Sequence, residues 1–358
     1  MRILQIIPSL EIGGAEAVVD TLSRKLALEG HEVSILTEYP VREGSKSSHL
    51  TYFSMSASSE HSRLVGFFNL FVWPIRNRKL LRDFQIIHCH LTRGMLIGLL
   101  LTCKPRRSMP RVVGTCHSVG GNISNSRIVF EKICANNFDA FVLMARTNNW
   151  NKFSKRNNKI VFIPNGIDPI NVGINDQYDK KDVFVIGTLS RLTFDRKPWL
   201  FVDLFKKIQE INPSIRFIIG GDGPLKFDLM SIAEKEGLSN IFWAGQINKK
   251  IDFFNELDLY ITLTVGDISG IAGLEAISAG LPVFGIQISE DFFSENNNFI
   301  LSLNNLETLA STICDVVNNP AKIAMVKENQ KNIFDNNYHS SKMLRRYEDL
   351  YRNLIGEE

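Results

Sequence analysis

The stretch RILQIIPSLEIGGAEAVVDTLSRKLALEGHEVSILT, residues 2–37, decides the fold class of this chain. Residues 2–8 form a short apolar run typical of a buried strand, and residues 31–37 form a second one. Between the two runs, apolar side chains recur at the spacing of one helix face, at Ala15, Val18, Val19, Leu22 and Leu26. Gly30 ends this helix. A strand, a helix and a strand joined by short loops predict a βαβ unit and therefore a parallel sheet.

The same rhythm continues along the chain, with one interruption. Further strands are predicted at 85–90, 111–117, 140–145 and 159–165. The next stretch, PNGIDPINVGINDQYDKKD (164–182), is rich in Pro, Gly, Asn and Asp and indicates an interdomain linker. A second series of strands and helices begins at residue 183 and ends with three helical segments, near 306–318, 320–334 and 340–355. The expected fold is therefore α/β, with two parallel-sheet domains that face each other across a cleft.

The length and composition of the chain bound its organisation. A chain of 358 residues is too long for one comfortable hydrophobic core, so two domains are expected. We predict an N-terminal Rossmann-like domain over 1–168, a C-terminal Rossmann-like domain over 169–335, and a final helix over 336–358 that packs back on the N-terminal domain. With 44% hydrophobic and 22% charged residues, the composition is that of a folded protein, and a net charge of +3 gives no reason to expect nucleic-acid binding.

Neither the cysteines nor the apolar runs indicate a secreted or membrane-spanning protein. Five cysteines are scattered without a Cys-x-x-Cys pair, which argues against disulfides and structural zinc and suits a reducing compartment. The longest apolar runs, 64–75 and 95–101, are shorter than the roughly 20 residues that cross a bilayer, so a cytoplasmic protein is expected. Residues 63–84 mix aromatic side chains with cations, which suits either peripheral contact with an anionic membrane or a domain helix with a solvated basic face.

The candidate site begins with the stretch GDISGIAGLEAISAGLPVFG, residues 266–285. Gly270 and Gly273 let the backbone approach a ligand at the start of a predicted helix over 273–279. The free N–H groups and the dipole of a helix N-terminus favour an anion such as a phosphate. Glu275, in the first turn, suits hydrogen bonds from a sugar diol, and it equally suits simple pairing with the helix dipole.

Two other glycine-containing or basic loops follow predicted strands. SRLTFDRKP (190–198) contains Arg191, Arg196 and Lys197, which suit either the neutralisation of a diphosphate or an ordinary solvated loop. IGGDGP (219–224) is a poor dinucleotide-binding fingerprint and indicates a tight strand-to-helix turn.

Histidines near strand ends raise separate possibilities. His117, in GTCHSVGG (114–121), is placed to contact a sugar hydroxyl, to stabilise developing charge, or to form a purely structural hydrogen bond. His88 and His90 share one face of a strand, yet no third ligand is spaced to join them, so no metal site is expected. The chain also lacks Asp-x-Asp, which removes the simplest clamp for a metal-bound diphosphate.

Taken in order, these motifs resemble the family 4 glycosyltransferases of GT-B architecture, a group that includes many bacterial surface-polysaccharide enzymes. The matching stretches cover nearly the whole chain: GGAE (13–16), IPNGID (163–168), SRL…RK (190–197), GDGP (221–224) and GLEAISAGLPV (273–283). The resemblance implies two Rossmann-like domains facing across a cleft. It also implies transfer of a sugar from a UDP- or GDP-linked donor to an acceptor hydroxyl, with retained anomeric configuration.

The resemblance assigns roles to individual residues. Arg191 and Lys197 match the pair that binds the diphosphate, and His117 matches a histidine beside the donor sugar. The stretch at 266–285 corresponds to a Glu-x7-Glu signature in which the second acid, Glu275, holds the ribose. The first acid contacts the donor sugar near the reacting carbon, and here it is Asp267, one methylene shorter. The other implied donor-binding positions are Gly13, Gly14, Ile247, Ser269, Gly270, Ile271 and Ala272.

The implied reaction needs neither a metal nor another cofactor. Arg191, Lys197 and the helix N–H groups would stabilise the departing diphosphate, and the leaving phosphate would take the proton of an acceptor attacking from the front face. The expected partners are a nucleotide sugar, a glycan or lipid-linked acceptor, and a membrane surface. An alternative, suggested by Asp267, is a catalytically weak relative that binds a nucleotide sugar or a partner enzyme as a scaffold. A Rossmann oxidoreductase is not expected, because the fingerprint is missing.

Overall fold

The structure is a computed structural model, and it describes residues 1–11, 13–56, 63–102, 110–117, 124–144, 159–170, 183–265, 268–287 and 300–357. These residues form two compact units. The N-terminal unit contains the described residues up to Asp168 together with those from Asn337 onward. The C-terminal unit contains the described residues from Pro169 to Asn336.

Each unit is built on a parallel sheet. In chain order the strands are β1 (Arg2–Ile6), β2 (Glu32–Thr37), β3 (Thr51–Ser54), β4 (Ile86–His90), β5 (Arg111–Cys116), β6 (Ala140–Leu143), β7 (Ile160–Phe162), β8 (Val185–Leu189), β9 (Arg216–Gly220), β10 (Ile241–Gly245), β11 (Leu259–Val265), β12 (Ile268–Ser269), β13 (Val283–Gln287) and β14 (Leu301–Leu303). The N-terminal sheet has the order β3-β2-β1-β4-β5-β6-β7, with every pair parallel. The C-terminal sheet has the order β10-β9-β8-β11-β13-β14, also parallel, and the short β12 pairs antiparallel with β11. The α/β fold with two parallel-sheet domains is confirmed.

Helices connect these strands. They are α1 (Gly14–Leu28), α2 (Arg63–Arg76), α3 (Arg78–Arg82), α4 (Leu91–Thr102), α5 (Asn125–Asn137), α6 (Trp199–Ile211), α7 (Lys226–Lys235), α8 (Lys250–Asn255), α9 (Ile271–Ser278), α10 (Leu306–Val317), α11 (Pro320–Asn337) and α12 (Ser340–Ile355). The first predicted βαβ unit is observed as β1, α1 and β2, with β1 and β2 in parallel register. None of the helices within the described ranges combines the length and the apolar character that a bilayer crossing requires.

Alternation along the N-terminal strands separates two different faces of that sheet. Leu4 and Cys89 belong to a hydrophobic core that also contains residues of α2, α4 and α5. The intervening positions Gln5, His88 and His90 are buried on the other face, where His88 contacts α12. One face of this sheet is thus apolar, and the other holds a buried polar cluster beneath the C-terminal helix.

The chain leaves the N-terminal unit at the same place where α12 returns to it. The Ile167 N–H donates to the Tyr338 carbonyl at 3.0 Å, and the Ser340 N–H donates to the Ile167 carbonyl at 2.9 Å. A Cβ on Gly166 would lie 2.7 Å from Cβ of Met343, so the chain can pass α12 this closely only with glycine. The first residues of the predicted linker therefore pack within the N-terminal unit, and residues 171–182 lie outside the described ranges.

The C-terminal sheet changes direction between β8 and β11. From β8 the strand order runs outward through β9 to β10, and from β11 it runs the opposite way through β13 to β14. In open parallel sheets the crevice beyond the carboxyl ends of the strands at such a point is where ligands bind. The hydroxyl of Tyr260 in β11 joins the two strands there, since it lies 3.1 Å from both the backbone N and the backbone O of Leu189 at the end of β8.

Candidate functional site

Four loops of the C-terminal unit meet the criterion for a ligand site, because each follows the carboxyl end of a neighbouring strand. Residues 190–198 follow β8, residues 221–225 follow β9, residues 246–249 follow β10, and the loop into α9 follows β11. Of the positions predicted to bind a donor, Arg191, Lys197, Ile247 and Gly270 lie in these loops, and Ile271, Ala272 and Glu275 lie in α9. The sheet order therefore brings them to one edge of one sheet.

Helix α9 begins at Ile271, two residues earlier than predicted, with the exposed Gly270 as its N-cap. The first bond of the turn runs from the Gly273 N–H to the Gly270 carbonyl at 3.0 Å, so the N–H groups of Ile271 and Ala272 precede the helical hydrogen bonds. A Cβ on Gly270 would meet no atom within 4 Å, which leaves open space at the helix mouth. The backbone of Ser269 lies in β12, and Asp267 lies outside the described residues.

Glu275 points to a partner that sequence reasoning missed. The ammonium of Lys250, the first residue of α8, donates to both carboxylate oxygens of Glu275, at 2.7 and 2.8 Å. The Glu275 side chain is only 14% exposed and that of Lys250 is 44% exposed. Because Lys250 takes one lone pair of each oxygen, each oxygen keeps another lone pair for a further donor. Lys250 fixes the carboxylate without closing it to a ligand, and no local sequence pattern signalled this pairing.

Ile247 lies between β10 and α8 and is partly buried. Its Cγ1 atom is 3.0 Å from the position that a Cβ on Gly220 would occupy, so it packs over the end of β9. Ile247 thus lies in the loop that also leads to Lys250.

In the loop after β8, the guanidinium groups of Arg191 and Arg196 both lie near the carboxylate of Asp195. Nη2 of Arg191 lies 3.9 Å from Oδ2 of Asp195, and Nε of Arg196 lies 3.5 Å from the same oxygen. The Arg191 side chain is 66% exposed, so this long ion pair is weak. An incoming anion would compete with Asp195 for Arg191 at little cost.

Lys197 adopts a backbone conformation that is costly for its residue type. Its φ is 44° and its ψ is 49°, in the left-handed region, where a lysine has no glycine-like freedom. It also immediately precedes the N-cap of α6, Pro198, where the helix dipole disfavours a cation. Strain of this kind is typical of binding and catalytic positions, and an anion at this point would relieve the electrostatic part of it.

The glycines of IGGDGP hold the Arg191 loop in place. The Ser190 N–H donates to the Gly220 carbonyl at 3.1 Å, and the Leu192 N–H donates to the Asp222 carbonyl at 3.0 Å. Gly221 has a φ of +114°, and a Cβ there would lie 1.9 Å from the Ser190 carbonyl oxygen. The predicted strand-to-helix turn is observed, and its glycine backbone also supports the loop that carries Arg191.

The remaining predicted residues belong to the N-terminal unit. Gly13 is the N-cap of α1 and Gly14 is its first residue. A Cβ on Gly13 would lie 2.1 Å from Oε2 of Glu16, so the Glu16 carboxylate folds over this glycine. The first turn of α1 therefore carries an acidic group, which any phosphate near Gly13 would have to displace.

His117 follows β5 and makes one hydrogen bond through Nε2, to Nδ1 of His90 at 2.9 Å. Its Nδ1 atom is buried and has no hydrogen-bond partner among the described residues. Burial lowers the pKa of His117 to about 4, so its imidazole is neutral at physiological pH. His88 and His90 are hydrogen-bonded within the protein, and in the described part of the chain no three His, Cys, Asp or Glu side chains are grouped to hold a metal ion.

The basic segment 63–84 divides between core and surface. Leu70 is fully buried and Trp73 packs against the same core. Among residues 69–82, whose side chains the structure describes, four are exposed: Ile75, Arg76, Lys79 and Arg82. The segment therefore packs against the core and also presents an exposed basic face, and contact of that face with a membrane stays a prediction.

Comparison with known proteins adds three findings. The pattern of Glycosyltransferase Family 4 matches residues 12–170, and that of Glycosyl transferases group 1 matches residues 174–333. The gpi3 subunit of phosphatidylinositol N-acetylglucosaminyltransferase from Schizosaccharomyces pombe is 25% identical over an alignment of 370 positions, gaps included. The alignment covers 96% of this chain and 78% of that protein. Other curated relatives are matched over about one third to two thirds of their length.

Solved structures share the fold over nearly their full length. Sucrose-phosphate synthase from Thermosynechococcus elongatus has a TM-score of 0.77 at 17% identity, with 99% of each chain covered. HepE of Anabaena, solved in complex with UDP and glucose, has a TM-score of 0.74 at 14% identity, with 98% of this chain and 99% of HepE covered. At these identities the likeness concerns the fold alone.

Proposed function

Because the chain belongs to the family 4 glycosyltransferases, we propose that it transfers a sugar from a nucleotide diphosphate sugar to an acceptor hydroxyl. One observation carries this proposal. At the switch point of the C-terminal sheet, the loop with Arg191 and Lys197 and the N-terminus of α9 follow two adjacent strands. Cations and the N–H groups of a helix N-terminus that follow adjacent strands suit a diphosphate. A UDP complex of a protein with the same fold, HepE, supports this choice of ligand.

In this proposal the C-terminal unit binds the donor. The N–H groups of Ile271 and Ala272, beside Gly270, receive phosphate oxygens. Glu275, held by Lys250, accepts hydrogen bonds from the ribose diol with its remaining lone pairs. The loop at Ile247 lies against the base. A carboxylate that is fixed before the ligand arrives loses little entropy on binding, which favours affinity.

The chemical step follows from where charge develops. As the bond between the sugar and the diphosphate breaks, negative charge grows on the leaving oxygen. Arg191 and Lys197 stabilise that charge by preorganised electrostatics, without a metal ion. The acceptor attacks from the same face, its proton passes to the leaving phosphate, and the anomeric configuration is retained. Asp267 and His117 are proposed to contact the transferred sugar.

We propose that the acceptor is a glycan or a lipid-linked sugar used in building a cell-surface glycan. The Schizosaccharomyces pombe relative is named for action on phosphatidylinositol, a lipid acceptor. The exposed Ile75, Arg76, Lys79 and Arg82 suit contact with an anionic membrane surface, on which such an acceptor would be presented. The protein would then work at the cytoplasmic face of a membrane.

The test is release of nucleotide from a panel of donors. Purified protein is incubated with UDP-glucose, UDP-N-acetylglucosamine and GDP-mannose, with and without EDTA, and free UDP or GDP is measured. We expect slow hydrolysis of one donor that EDTA does not abolish and that Lys197→Ala and Glu275→Ala each reduce at least about tenfold. The control is Lys331→Ala, which removes an exposed cation of α11 paired with Asp335 in the same unit.

Two results would contradict the proposal. Equal activity of Lys197→Ala and Lys331→Ala would show that the diphosphate does not bind at the loop that contains Lys197. Binding of UDP by the wild type without turnover of any donor, together with tight binding of a partner enzyme, would support the scaffold alternative instead.

A further inference from the structure

A buried series of hydrogen-bonded side chains ends at His117, whose Nδ1 has no hydrogen-bond partner among the described residues. Gln5, His90 and His117 come from three neighbouring strands, β1, β4 and the end of β5. Nε2 of His90 lies 2.7 Å from Oε1 of Gln5, and Nδ1 of His90 lies 2.9 Å from Nε2 of His117. Gln5 and His90 are essentially inaccessible to solvent. Because water cannot supply partners to such groups, the side chains themselves decide which nitrogens carry hydrogen.

The chemistry of Gln5 fixes the direction of every bond in this chain. The amide oxygen of Gln5 is only an acceptor, so Nε2 of His90 carries the hydrogen and donates it. Burial, followed by the neighbouring His88 and His117, lowers the pKa of His90, so His90 is neutral and its Nδ1 has a bare lone pair. His117 must then donate from Nε2. A neutral His117 that donates from Nε2 has a bare lone pair on Nδ1.

The other end of the Gln5 amide lies on the side of Tyr351. Burial raises the pKa of the Tyr351 phenol, and the Gln5 amide opposes that rise. Nε2 of Gln5 is buried and forms no hydrogen bond of regular geometry with a described residue. The Tyr351 hydroxyl lies 2.7 Å from Nδ1 of His88 and can donate to it.

The backbone beside His90 is also held in an unusual state. Leu91, the next residue, has a φ of 60°, a left-handed conformation that leucine rarely adopts. The strand β4 ends at His90 and α4 begins at Leu91 without an intervening loop. Strain of this kind persists where the surrounding contacts fix the chain. Leu91 directly follows His90, whose imidazole contacts His117.

We propose that Gln5 and His90 are positioning residues that hold His117 in the tautomer whose Nδ1 accepts a hydrogen bond, the form that the sugar contact of the proposed function requires. The sugar contact itself rests on the proposed function. A bare nitrogen lone pair attracts a hydroxyl hydrogen and repels a phosphate oxygen, so His117 recognises sugar and does not stabilise the leaving group. This selects one of the roles that the sequence leaves open. A sugar hydroxyl would also satisfy a buried atom that has no partner among the described residues.

The tautomer can be measured without any substrate. The chain contains only seven histidines, so selective 15N labelling gives a spectrum in which the His117 nitrogens are assigned by their loss in His117→Gln. We expect a protonated Nε2 and an unprotonated Nδ1 in the wild type. In Gln5→Glu a carboxylate favours a doubly protonated His90, which donates to Nε2 of His117 and moves the hydrogen to Nδ1. Addition of a donor that is turned over should shift the Nδ1 signal of the wild type.

A pair of substitutions at His90 separates positioning from packing. His90→Leu removes the acceptor for His117, whereas His90→Gln restores an amide oxygen for His117 and an N–H for Gln5. We expect His90→Leu to lower kcat/KM for donor hydrolysis by about fivefold to tenfold, as for the loss of one hydrogen bond, and His90→Gln to recover most of it. Tyr347→Phe is the control, since it removes a buried hydroxyl that contacts Thr115 but not His117.

The outcomes are distinct. A hydrogen on Nδ1 of wild-type His117 overturns the proposal, and so do equal losses of kcat/KM in His90→Leu and His90→Gln when both remain folded. If the wild type turns over none of the three donors, the proposed function fails. The nitrogen spectra of the wild type and Gln5→Glu then decide alone whether Gln5 and His90 set the tautomer.

Discussion

Replacement of Gly221 by alanine should displace the loop that carries Arg191. The new Cβ would lie 1.9 Å from the carbonyl oxygen of Ser190, far inside van der Waals contact, and that oxygen belongs to backbone that cannot rotate away. The φ of +114° at Gly221 is also outside the range that alanine adopts without strain. Relief therefore requires a shift of the backbone after β8 or after β9.

The magnitude follows from these two terms. An unfavourable backbone conformation costs about 1–3 kcal/mol, and overpacking of a tight site costs a further 1–3 kcal/mol. We expect Gly221→Ala to lower the free energy of unfolding of the C-terminal unit by about 2–6 kcal/mol. Because Ser190 is next to Arg191, affinity for UDP should fall as well, even in the fraction that remains folded.

Gly237→Ala provides a matched control. Gly237 directly follows Glu236, the C-cap of α7 in the same unit, with a φ of +73°, but a Cβ there would meet no atom within 4 Å. The alanine variant therefore has the backbone strain without the clash, and this strain costs about 1–2 kcal/mol. Position 237 also lies outside the loop that carries Arg191. Urea unfolding followed by circular dichroism gives the stability of both variants, and isothermal titration calorimetry with UDP gives their affinity.

Two results would refute this reasoning. If Gly221→Ala and Gly237→Ala unfold at the same urea concentration, the close approach to Ser190 does not exist in solution. If Gly221→Ala is destabilised as expected but binds UDP like the wild type below its unfolding transition, the Arg191 loop does not take part in nucleotide binding.

Three further predictions concern the site and the buried histidines. Lys197→Asn should raise the free energy of unfolding by about 0.5–1 kcal/mol, since asparagine tolerates the left-handed region, and should lower UDP affinity at least about tenfold. A melting temperature and a calorimetric UDP affinity that both rise or both fall would contradict this prediction. Lys250→Met should weaken UDP binding about fivefold by releasing Glu275, and Lys250→Arg should largely retain it; equal calorimetric losses would exclude a positioning role. Burial lowers the pKa of His117 to about 4 from its usual 6.5, so the unfolded chain binds more protons between these values. Stability of the N-terminal unit should therefore fall as pH decreases from about 6.5 to 4, and a flat urea midpoint across that window would be inconsistent with a neutral buried His117.

The sequence predicts those parts of the fold that depend on local pattern. The helix of residues 13–30 and its flanking strands are predicted because apolar spacing and Gly30 act within a few residues. Strand β3 is missed, since Thr51–Ser54 is short and contains no long apolar run, and its place beside β2 is a tertiary contact. Helix α9 is predicted two residues late because Gly270 reads as a loop glycine until its cap geometry is seen.

The site shows the same division between local and distant signals. Arg191, Lys197 and Glu275 are predicted as site residues from their positions after strands or at a helix start. Lys250 is missed because its carboxylate partner lies 25 residues away and only the sheet order brings the two together. The Gln5–His90–His117 chain is missed for the same reason. Its members are separated by 85 and 27 residues along the sequence and become neighbours only through parallel strand pairing.

The position of α12 has a consequence for biosynthesis. Tyr347 and Tyr351 complete the polar face of the N-terminal sheet, so the first half of the protein remains unfinished while the second half is being made. The residues of the C-terminal unit are therefore synthesised before the last helix can reach its N-terminal partners. The N-terminal unit is therefore synthesised first but completes its fold last. A nascent chain stalled before residue 340 should expose the polar face of the N-terminal sheet to chaperones or proteases.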